Sequence, residues 1–185
     1  MTDPTAPAAS TPPPTPSGLP SVISAAGVAF VRRWEHLVPT AYRCPAGVLT
    51  IGYGHTGPDV HEGDVITSSR ADILLAQDLA ASSAAVRQAV TVPLRQPQFD
   101  ALVSFTFNVG ANAFAASTLL ALLNQGQGDA VPAQLARWIH GGGQVLPGLV
   151  ARRHAEGLLW TTGFAYGPCI PVPMPQEVDH PDRPQ

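Results

Sequence analysis

The amino-acid sequence predicts one folded α+β domain, in which a β-hairpin precedes a larger group of helices. Residues 41–44 and 48–53 have the pattern of two short strands, and they are joined at Pro45-Ala46-Gly47. A three-residue loop that contains glycine suits a hairpin. From residue 67 onward, apolar residues recur at helical spacing. A chain of 185 residues is long enough for one domain with a sizeable core.

The two ends of the chain differ in composition from the part between them. Residues 1–19 are Pro, Ala, Thr and Ser with six prolines and one charge, Asp3, and residues 164–185 contain six further prolines. Such segments cannot bury enough apolar surface to offset the entropy cost of ordering. We therefore expect a folded domain at residues 20–163 between two disordered tails. The N-terminal tail has no basic start and no uninterrupted apolar region, so no secretory signal is expected.

Glu35 is the first candidate for chemistry. A helix is predicted over residues 20–35, and because Pro39 disfavours helix at Val38, Glu35 would lie in its last turn. The negative end of the helix dipole and apolar neighbours both favour the uncharged carboxyl group, as a general acid requires. Outside this context a solvated carboxylate at a helix end would be the ordinary interpretation. The predicted apolar face of this helix consists of Val22, Ile23, Ala26, Phe30 and Trp34.

The predicted hairpin places a thiol and a hydroxyl on one face. If pairing runs straight through the loop, Cys44 lies opposite Val48 and Tyr42 lies opposite Thr50. Side chains alternate between faces along a strand, so Cys44 and Thr50 would share a face. Glu35, at the end of the predicted helix, would then face the polar side of the hairpin that carries Cys44 and Thr50.

These residues resemble the signature of the phage-type lysozymes, the endolysin muramidases of glycoside hydrolase family 24. The resemblance rests on Glu35, Ala41-Tyr42, Gly47 and the run Thr50-Ile51-Gly52-Tyr53-Gly54-His55-Thr56. Further similar words lie at residues 98–105, 107–110, 148–149 and 152–153, so the resemblance covers about residues 28–162. It implies a lysozyme-like fold with a cleft between the hairpin lobe and the helical lobe. It also implies hydrolysis of the β-1,4 bond between N-acetylmuramic acid and N-acetylglucosamine in peptidoglycan.

The family has a Glu, an Asp and a Thr at three of these positions. Glu35 and Thr50 match, whereas Cys44 occupies the position of the Asp. The resemblance implies that Glu35 protonates the leaving oxygen and that Thr50 orients a water. Cys44 leaves three alternatives: a support for that water, a nucleophile, or a small buried apolar residue. An ordinary thiol is mostly neutral near pH 7, so it makes a poor base for water.

Four other residues are candidates for binding or structure. His55 is expected to be structural, with Asp78 as its carboxylate partner by resemblance. Asn108 either hydrogen-bonds a sugar or caps its helix, with Gly110 beyond it. Arg152 or its neighbour approaches Glu35 or the glycan, unless both arginines form a solvated basic face.

The helical region divides at its capping and breaking residues. Thr67 is expected to cap a helix to about Ala89, with Leu75, Leu79, Val86 and Val90 as its apolar stripe. Residues 98–109 are apolar almost all round, which predicts a central buried helix. Ser117 is expected to cap a helix over 118–124, and Asp129 one that runs to Ile139. A flexible joint is predicted at residues 140–143, before a final helix from Pro147 to Trp160.

Composition excludes some classes of partner. All ten basic residues are arginine, and residues 20–163 carry nine arginines and nine acidic residues, so long-range attraction to an anionic wall is not expected. No basic stripe with interleaved aromatic residues is present, so no nucleic acid is expected. Cys44 and Cys169 form neither a disulfide framework nor a metal ligand set, and no cofactor is predicted.

The expected partner is bacterial peptidoglycan, and the protein is expected to be a monomer. It is expected to accumulate in the host cytoplasm and to reach the wall through a holin-like pore. The uncharged run from Leu19 to Val31 is shorter than the about 20 residues of a membrane span, so stable insertion is not expected. Some endolysins of this type carry a releasable N-terminal signal-anchor, and the Gly and Ala content of the run leaves that alternative open. The other classes considered are a peptidoglycan-binding protein with weakened catalysis, a lytic transglycosylase, and an interaction protein that displays its proline-rich tails.

Overall fold

The computed structural model describes residues 18–44 and 47–163. Residues 1–17 of the predicted tail 1–19, the whole predicted tail 164–185 with Cys169, and the loop residues 45–46 lie outside the described residues. Leu19, which was assigned to the N-terminal tail, lies inside them and packs against the main core. The division of the chain into a domain at residues 20–163 and two tails stays a prediction.

The architecture is mixed, with helices and small antiparallel hairpins, which confirms the α+β prediction. In chain order the elements are α1 Ala25–Arg32, β1 Val38–Arg43, β2 Leu49–Gly52, α2 Ser68–Ala89, α3 Gln96–Val109, α4 Ala111–Ala115, α5 Thr118–Asn124, a 3₁₀ turn Gly128–Ala130, α6 Val131–Leu135, β3 His140–Gly141, β4 Gln144–Val145 and α7 Pro147–Thr162. Strand β1 pairs with β2, and β3 pairs with β4.

The first hairpin has the predicted register. Tyr42 lies opposite Thr50, and the Cys44 backbone N–H donates to the Val48 carbonyl oxygen at 3.0 Å. Strand β1 starts at Val38, three residues earlier than predicted. The reason is that its other edge is also paired: the Ile66 N–H donates to the Pro39 carbonyl oxygen at 2.9 Å.

Helix α1 differs from the prediction at both ends. It starts at Ala25, where the Ser24 hydroxyl accepts from the Gly27 N–H. It ends at Arg32, because the Trp34 N–H bonds back only three residues, to the Val31 carbonyl oxygen at 2.9 Å. Glu35 therefore lies just after the helix and not in its last turn.

Two long helices connect the hairpin to the rest of the molecule. Helix α2 has the predicted N-cap, since the Thr67 side chain accepts from the Arg70 N–H, and it contacts both β2 and α3. The four residues of its predicted stripe are buried. Helix α3 is buried continuously from Phe99 to Thr106 and packs against α1, α2, α4 and α7, so it is the predicted central helix.

The C-terminal third departs from the prediction in two places. Asp129 lies in a 3₁₀ turn and caps no helix, and α6 ends at Leu135, well before Ile139. The predicted flexible joint is a two-stranded hairpin with Gly142 and Gly143 at its turn, where φ of 58° and 81° favours glycine. Helix α5 and its Ser117 cap are as predicted, and α7 starts at Pro147 as predicted.

Candidate active site

Glu35 is joined to the C-terminal helix by an ion pair. The Nη1 atom of Arg152, in α7, donates to Glu35 Oε1 at 2.6 Å, although the two residues are 117 positions apart in the chain. The Glu35 side chain is 21 % exposed, so it is held by the protein and still reaches solvent. Its surroundings therefore include a cation as well as the apolar neighbours that the sequence shows.

Arg152 is held on all three guanidinium nitrogens. Its Nε donates to Glu156 Oε1 at 3.3 Å, and its Nη2 donates to the Ser104 carbonyl oxygen at 3.2 Å. The side chain is 5 % exposed. Of the alternatives for Arg152, the approach to Glu35 is the one observed, and its assignment to substrate binding stays a prediction.

Glu156 is the completely buried partner of both arginines. Its Oε1 accepts from the Ser104 hydroxyl at 2.7 Å and from Arg153 Nη2 at 3.2 Å, and its Oε2 lies 3.0 Å from Arg153 Nε. Burial raises the pKa of Glu156, and the neighbouring Arg153 and Arg152 act against that effect. Each polar group that is described in contact with Glu156 is a hydrogen-bond donor, and an ionised carboxylate can only accept hydrogen bonds.

Arg153, Arg152 and Glu156 together form a buried charge cluster. Burial lowers its pKa to about 10, while the carboxylate of Glu156 opposes the shift. Its guanidinium carbon lies 4.9 Å from the centre of the Phe105 ring, and its Nη2 donates to Asn108 Oδ1 at 2.9 Å. Because both arginines are buried, the solvated basic face considered for them is wrong.

Asn108 lies at the surface end of the same cluster. It is exposed, and the C-cap of α3 is Gly110, so the capping alternative for Asn108 is wrong. Its amide oxygen is engaged by Arg153. The other alternative, a hydrogen bond to a sugar, stays a prediction.

The hairpin contributes Thr50 and Cys44. Thr50 is buried in β2, and its hydroxyl donates to the Val48 carbonyl oxygen at 3.1 Å. Cys44 is half-buried and lies directly after β1. The observed register puts both residues on the same face of the hairpin, as the sequence predicts.

His55 links the hairpin to α2 and to the following loop. Its Nδ1 lies 3.0 Å from the carboxylate of Asp78, in α2, and its Nε2 lies 3.2 Å from Asp59 Oδ1. Burial lowers the pKa of His55, but the hydrogen bonds to Asp78 and Asp59 together outweigh burial, and the net pKa is raised. A tight turn positions this ring, since His55 pairs with Ile51 across Gly52 and Gly54, whose φ values are 66° and 95°.

A cavity of about 450 Å³ lies between α6 and α7. Apolar residues such as Ile139, Val150 and Leu158 contribute to its lining. None of Glu35, Cys44 and Thr50 lines it, and it meets the candidate site only at Arg153, which contributes to its lining.

The sequence analysis missed Ser104, considered Arg153 only as an alternative to Arg152, and did not name Glu156 as a member of the site. A signal for the last two exists in the sequence, because Arg152 and Glu156 are four residues apart and Arg153 and Glu156 are three apart. At those spacings the side chains of a helix are neighbours. Ser104 has no comparable signal, since nothing local shows that its hydroxyl faces α7.

The chain is similar to known lytic proteins of phages. The phage lysozyme family model matches residues 32–156. The endolysin of Acyrthosiphon pisum secondary endosymbiont phage 1 is 42 % identical over 142 residues, which are 75 % of this chain and 97 % of that relative. The SAR-endolysin of Escherichia phage Mu is 41 % identical over 126 residues, 68 % of this chain and 73 % of that protein.

Solved structures agree with these relatives. The muramidase domain of SpmX from Asticaccaulis excentricus superposes with a TM-score of 0.71 at 41 % identity, over 76 % of this chain and 97 % of that one. A variant of P22 lysozyme superposes with a TM-score of 0.67 at 37 % identity, over 75 % of this chain and 97 % of that one. The chain therefore belongs to the phage lysozyme family, the peptidoglycan-degrading endolysins with muramidase activity.

Proposed function

We propose that this chain hydrolyses the β-1,4 bond between N-acetylmuramic acid and N-acetylglucosamine, with Glu35 as the general acid. The observation that carries the proposal is the state of Glu35: partly exposed, and bound through Oε1 by a buried arginine. Because the described contact of Glu35 uses Oε1, its Oε2 is the oxygen proposed to carry the proton to the leaving group. This proton transfer would assist bond breaking as the sugar gains oxocarbenium character.

Thr50 is proposed to orient a water on the other side of the scissile bond. Its hydroxyl hydrogen is used by the Val48 carbonyl group, so its oxygen remains an acceptor for a water proton. Cys44 lies on the same hairpin face and would act either as a support for this water or as a nucleophile. Asn108 is proposed to bind a sugar through its amide nitrogen, because its oxygen is held by Arg153.

The test is the loss of turbidity of purified peptidoglycan, with mass analysis of the fragments. We expect Glu35→Gln to lower the rate at least about 100-fold, because a positioned general acid contributes on the order of 10²–10⁴-fold. Glu62→Gln is the matched control: Glu62 is exposed and pairs with Arg43 on the hairpin, so its loss should leave the rate unchanged.

The fragments distinguish the proposed reaction from its alternatives. Reducing ends on muramic acid would support a lysozyme, whereas anhydro ends would mean a lytic transglycosylase. Wall binding without turbidity loss, identical in the parent and in Glu35→Gln, would mean a binding protein and would overturn the proposal.

We further propose that the enzyme acts as a monomer on bacterial peptidoglycan, after release from the host cytoplasm through a holin-like pore. No helix in the described part of the chain is long and apolar enough to cross a membrane. Relatives named SAR-endolysins exist, so a membrane-linked route of release is the alternative for this chain. Lysis by the chain expressed with and without a co-expressed pore protein separates the two routes.

A further inference from the structure

The buried charge cluster contains a carboxylate that the proposed reaction does not use. Glu156 is linked to the candidate acid through one residue: Glu156 contacts Arg152, and Arg152 contacts Glu35. A buried carboxylate with two arginine partners loses much hydration on folding, and such pairs contribute little to stability compared with apolar packing. Stability therefore does not account for Glu156, whereas its contact with Arg152 connects it to Glu35.

The first effect is geometric. An arginine side chain has many rotamers, and its planar guanidinium group presents its donors in a rigid fork. In this structure Glu156 binds Nε and the Ser104 carbonyl group binds Nη2. Those two contacts fix the plane of the guanidinium group, and in this plane Nη1 points to Glu35.

The second effect is electrostatic. When Glu35 is ionised, the two arginines are balanced by two carboxylates, Glu35 and Glu156. When Glu35 carries the proton needed for catalysis, one positive charge is left over. Without Glu156 two positive charges would be left over, and the protonated form of Glu35 would be less favoured.

We propose that Glu156 is a positioning residue for the candidate acid: it aims Arg152 at Glu35 and offsets the positive charge that Glu35 meets. This inference rests on the proposed role of Glu35. Among the described contacts of Glu35, the charged partner is Arg152, from α7, and Arg153 and Glu156 of the same helix lie on the other side of Arg152. Helix α3 contributes the uncharged Ser104, and Arg33 and His36 adjoin Glu35 in the chain.

The test compares the pH dependence of peptidoglycan hydrolysis in the parent protein, Glu156→Gln and Glu156→Asp. We expect Glu156→Gln to move the alkaline limb of the profile to lower pH by about one unit. Glu156→Asp keeps the charge and should return the limb toward its original position. A loss of rate that is equal at every pH would show a merely structural role and overturn the proposal.

Asp100→Asn is the matched control. Asp100 is also a buried carboxylate, and its partners are Ser24 and Gln96, with no arginine among the contacts described. It should lower thermal stability and leave the alkaline limb in place. If both variants move the limb equally, the effect is a general consequence of destabilisation and the proposal is wrong.

Two further measurements do not require an active enzyme. Carbon-13 NMR of the Glu35 carboxyl group should show a lower titration midpoint in Glu156→Gln, and an unchanged midpoint would contradict the proposal even if wall hydrolysis fails altogether. If Glu156→Gln does not fold, the contact between Arg152 and Glu156 can still be tested in the parent protein. The Nε–H signal of Arg152, assigned by its absence in Arg152→Lys, should exchange slowly with water, and rapid exchange would refute the contact with Glu156.

Discussion

Two buried carboxylates, Asp100 and Glu156, have different partners and different consequences. Asp100 accepts from the Ser24 N–H at 3.0 Å and from the Ser24 hydroxyl at 2.5 Å, so neutral donors hold it at the start of α1. Glu156 is surrounded by two guanidinium groups and a hydroxyl. Charged donors give stronger hydrogen bonds than neutral ones, and they also couple the protonation of neighbouring groups. Of these two carboxylates, Glu156 is the one linked to Glu35, through Arg152.

The stereochemistry of hydrolysis depends on Cys44. If the thiol only supports a water, the product anomer is inverted and Cys44→Ser keeps substantial activity, because a hydroxyl can hydrogen-bond the same water. If a thiolate attacks the sugar, the anomer is retained and Cys44→Ser is nearly inactive. Proton NMR of the first-formed sugar anomer decides between them, and we expect inversion because an ordinary thiol is mostly neutral near pH 7.

His55 should make stability depend on pH. Its net pKa is raised by Asp78 and Asp59, against the effect of burial. A raised folded pKa gives a stabilisation that is fully present below the ordinary value of 6.5 and is lost as the pH rises through the folded value. We expect His55→Gln to cost about 1–3 kcal/mol at about pH 5.5, with a smaller cost at about pH 9.

Chemical denaturation of both proteins across this pH range measures the difference. His61→Gln is the control, because His61 is exposed and its carboxylate partner Asp64 lies at 3.5 Å. It should change stability little at any pH. A cost for His55→Gln that grew with pH would show that the neutral ring is the stabilising form.

At the scale of elements, the helix starts differ in how deeply their caps are buried. Thr67 caps α2 at an exposed position, whereas Ser117 caps α5 at a buried one. Both side chains accept a backbone N–H, and the Ser117 hydroxyl also donates to the Phe114 carbonyl oxygen at 2.7 Å. The buried cap therefore satisfies two backbone groups that have little access to water.

Removing the two caps should give unequal losses of stability. We expect Ser117→Ala to lower the free energy of unfolding by about 1–2 kcal/mol and Thr67→Ala by about 0.5–1 kcal/mol. The difference arises because water can replace the lost partner at Thr67 and not at Ser117. Urea denaturation measures both values, and equal losses would mean that the burial of Ser117 has no energetic effect.

At the scale of the whole molecule, the candidate site is assembled from parts that are distant in the chain. Glu35 follows the first helix, Ser104 lies in the central helix, and Arg152 and Glu156 lie in the last helix. Helix α3 packs against both α1 and α7, so it sets the distance between the first and the last described helix. The packing of α1, α3 and α7 therefore both stabilises the fold and positions the candidate acid Glu35.

Much of this arrangement could be predicted from local patterns. The strand register followed from alternation and a short loop, and the starts of α2, α5 and α7 followed from Thr67, Ser117 and Pro147. The predictions for Asp129 and for residues 140–143 were wrong. In both places a short polar or glycine-rich segment is compatible with several local conformations. Contacts with α5 and α6 select among them at the 3₁₀ turn, and pairing between β3 and β4 selects among them at residues 140–143.

The sequence by itself determined the family, the hairpin and the three candidate residues Glu35, Cys44 and Thr50, because these depend on identity and spacing over a short stretch of chain. Only the tertiary structure decided that Arg152 faces Glu35, and that Glu156 and Ser104 stand behind it. The physical reason is that the charge balance of a buried cluster depends on which groups lose water together. Spacing along one helix can indicate a pair of charges, but it cannot show which face of that helix is covered by α3.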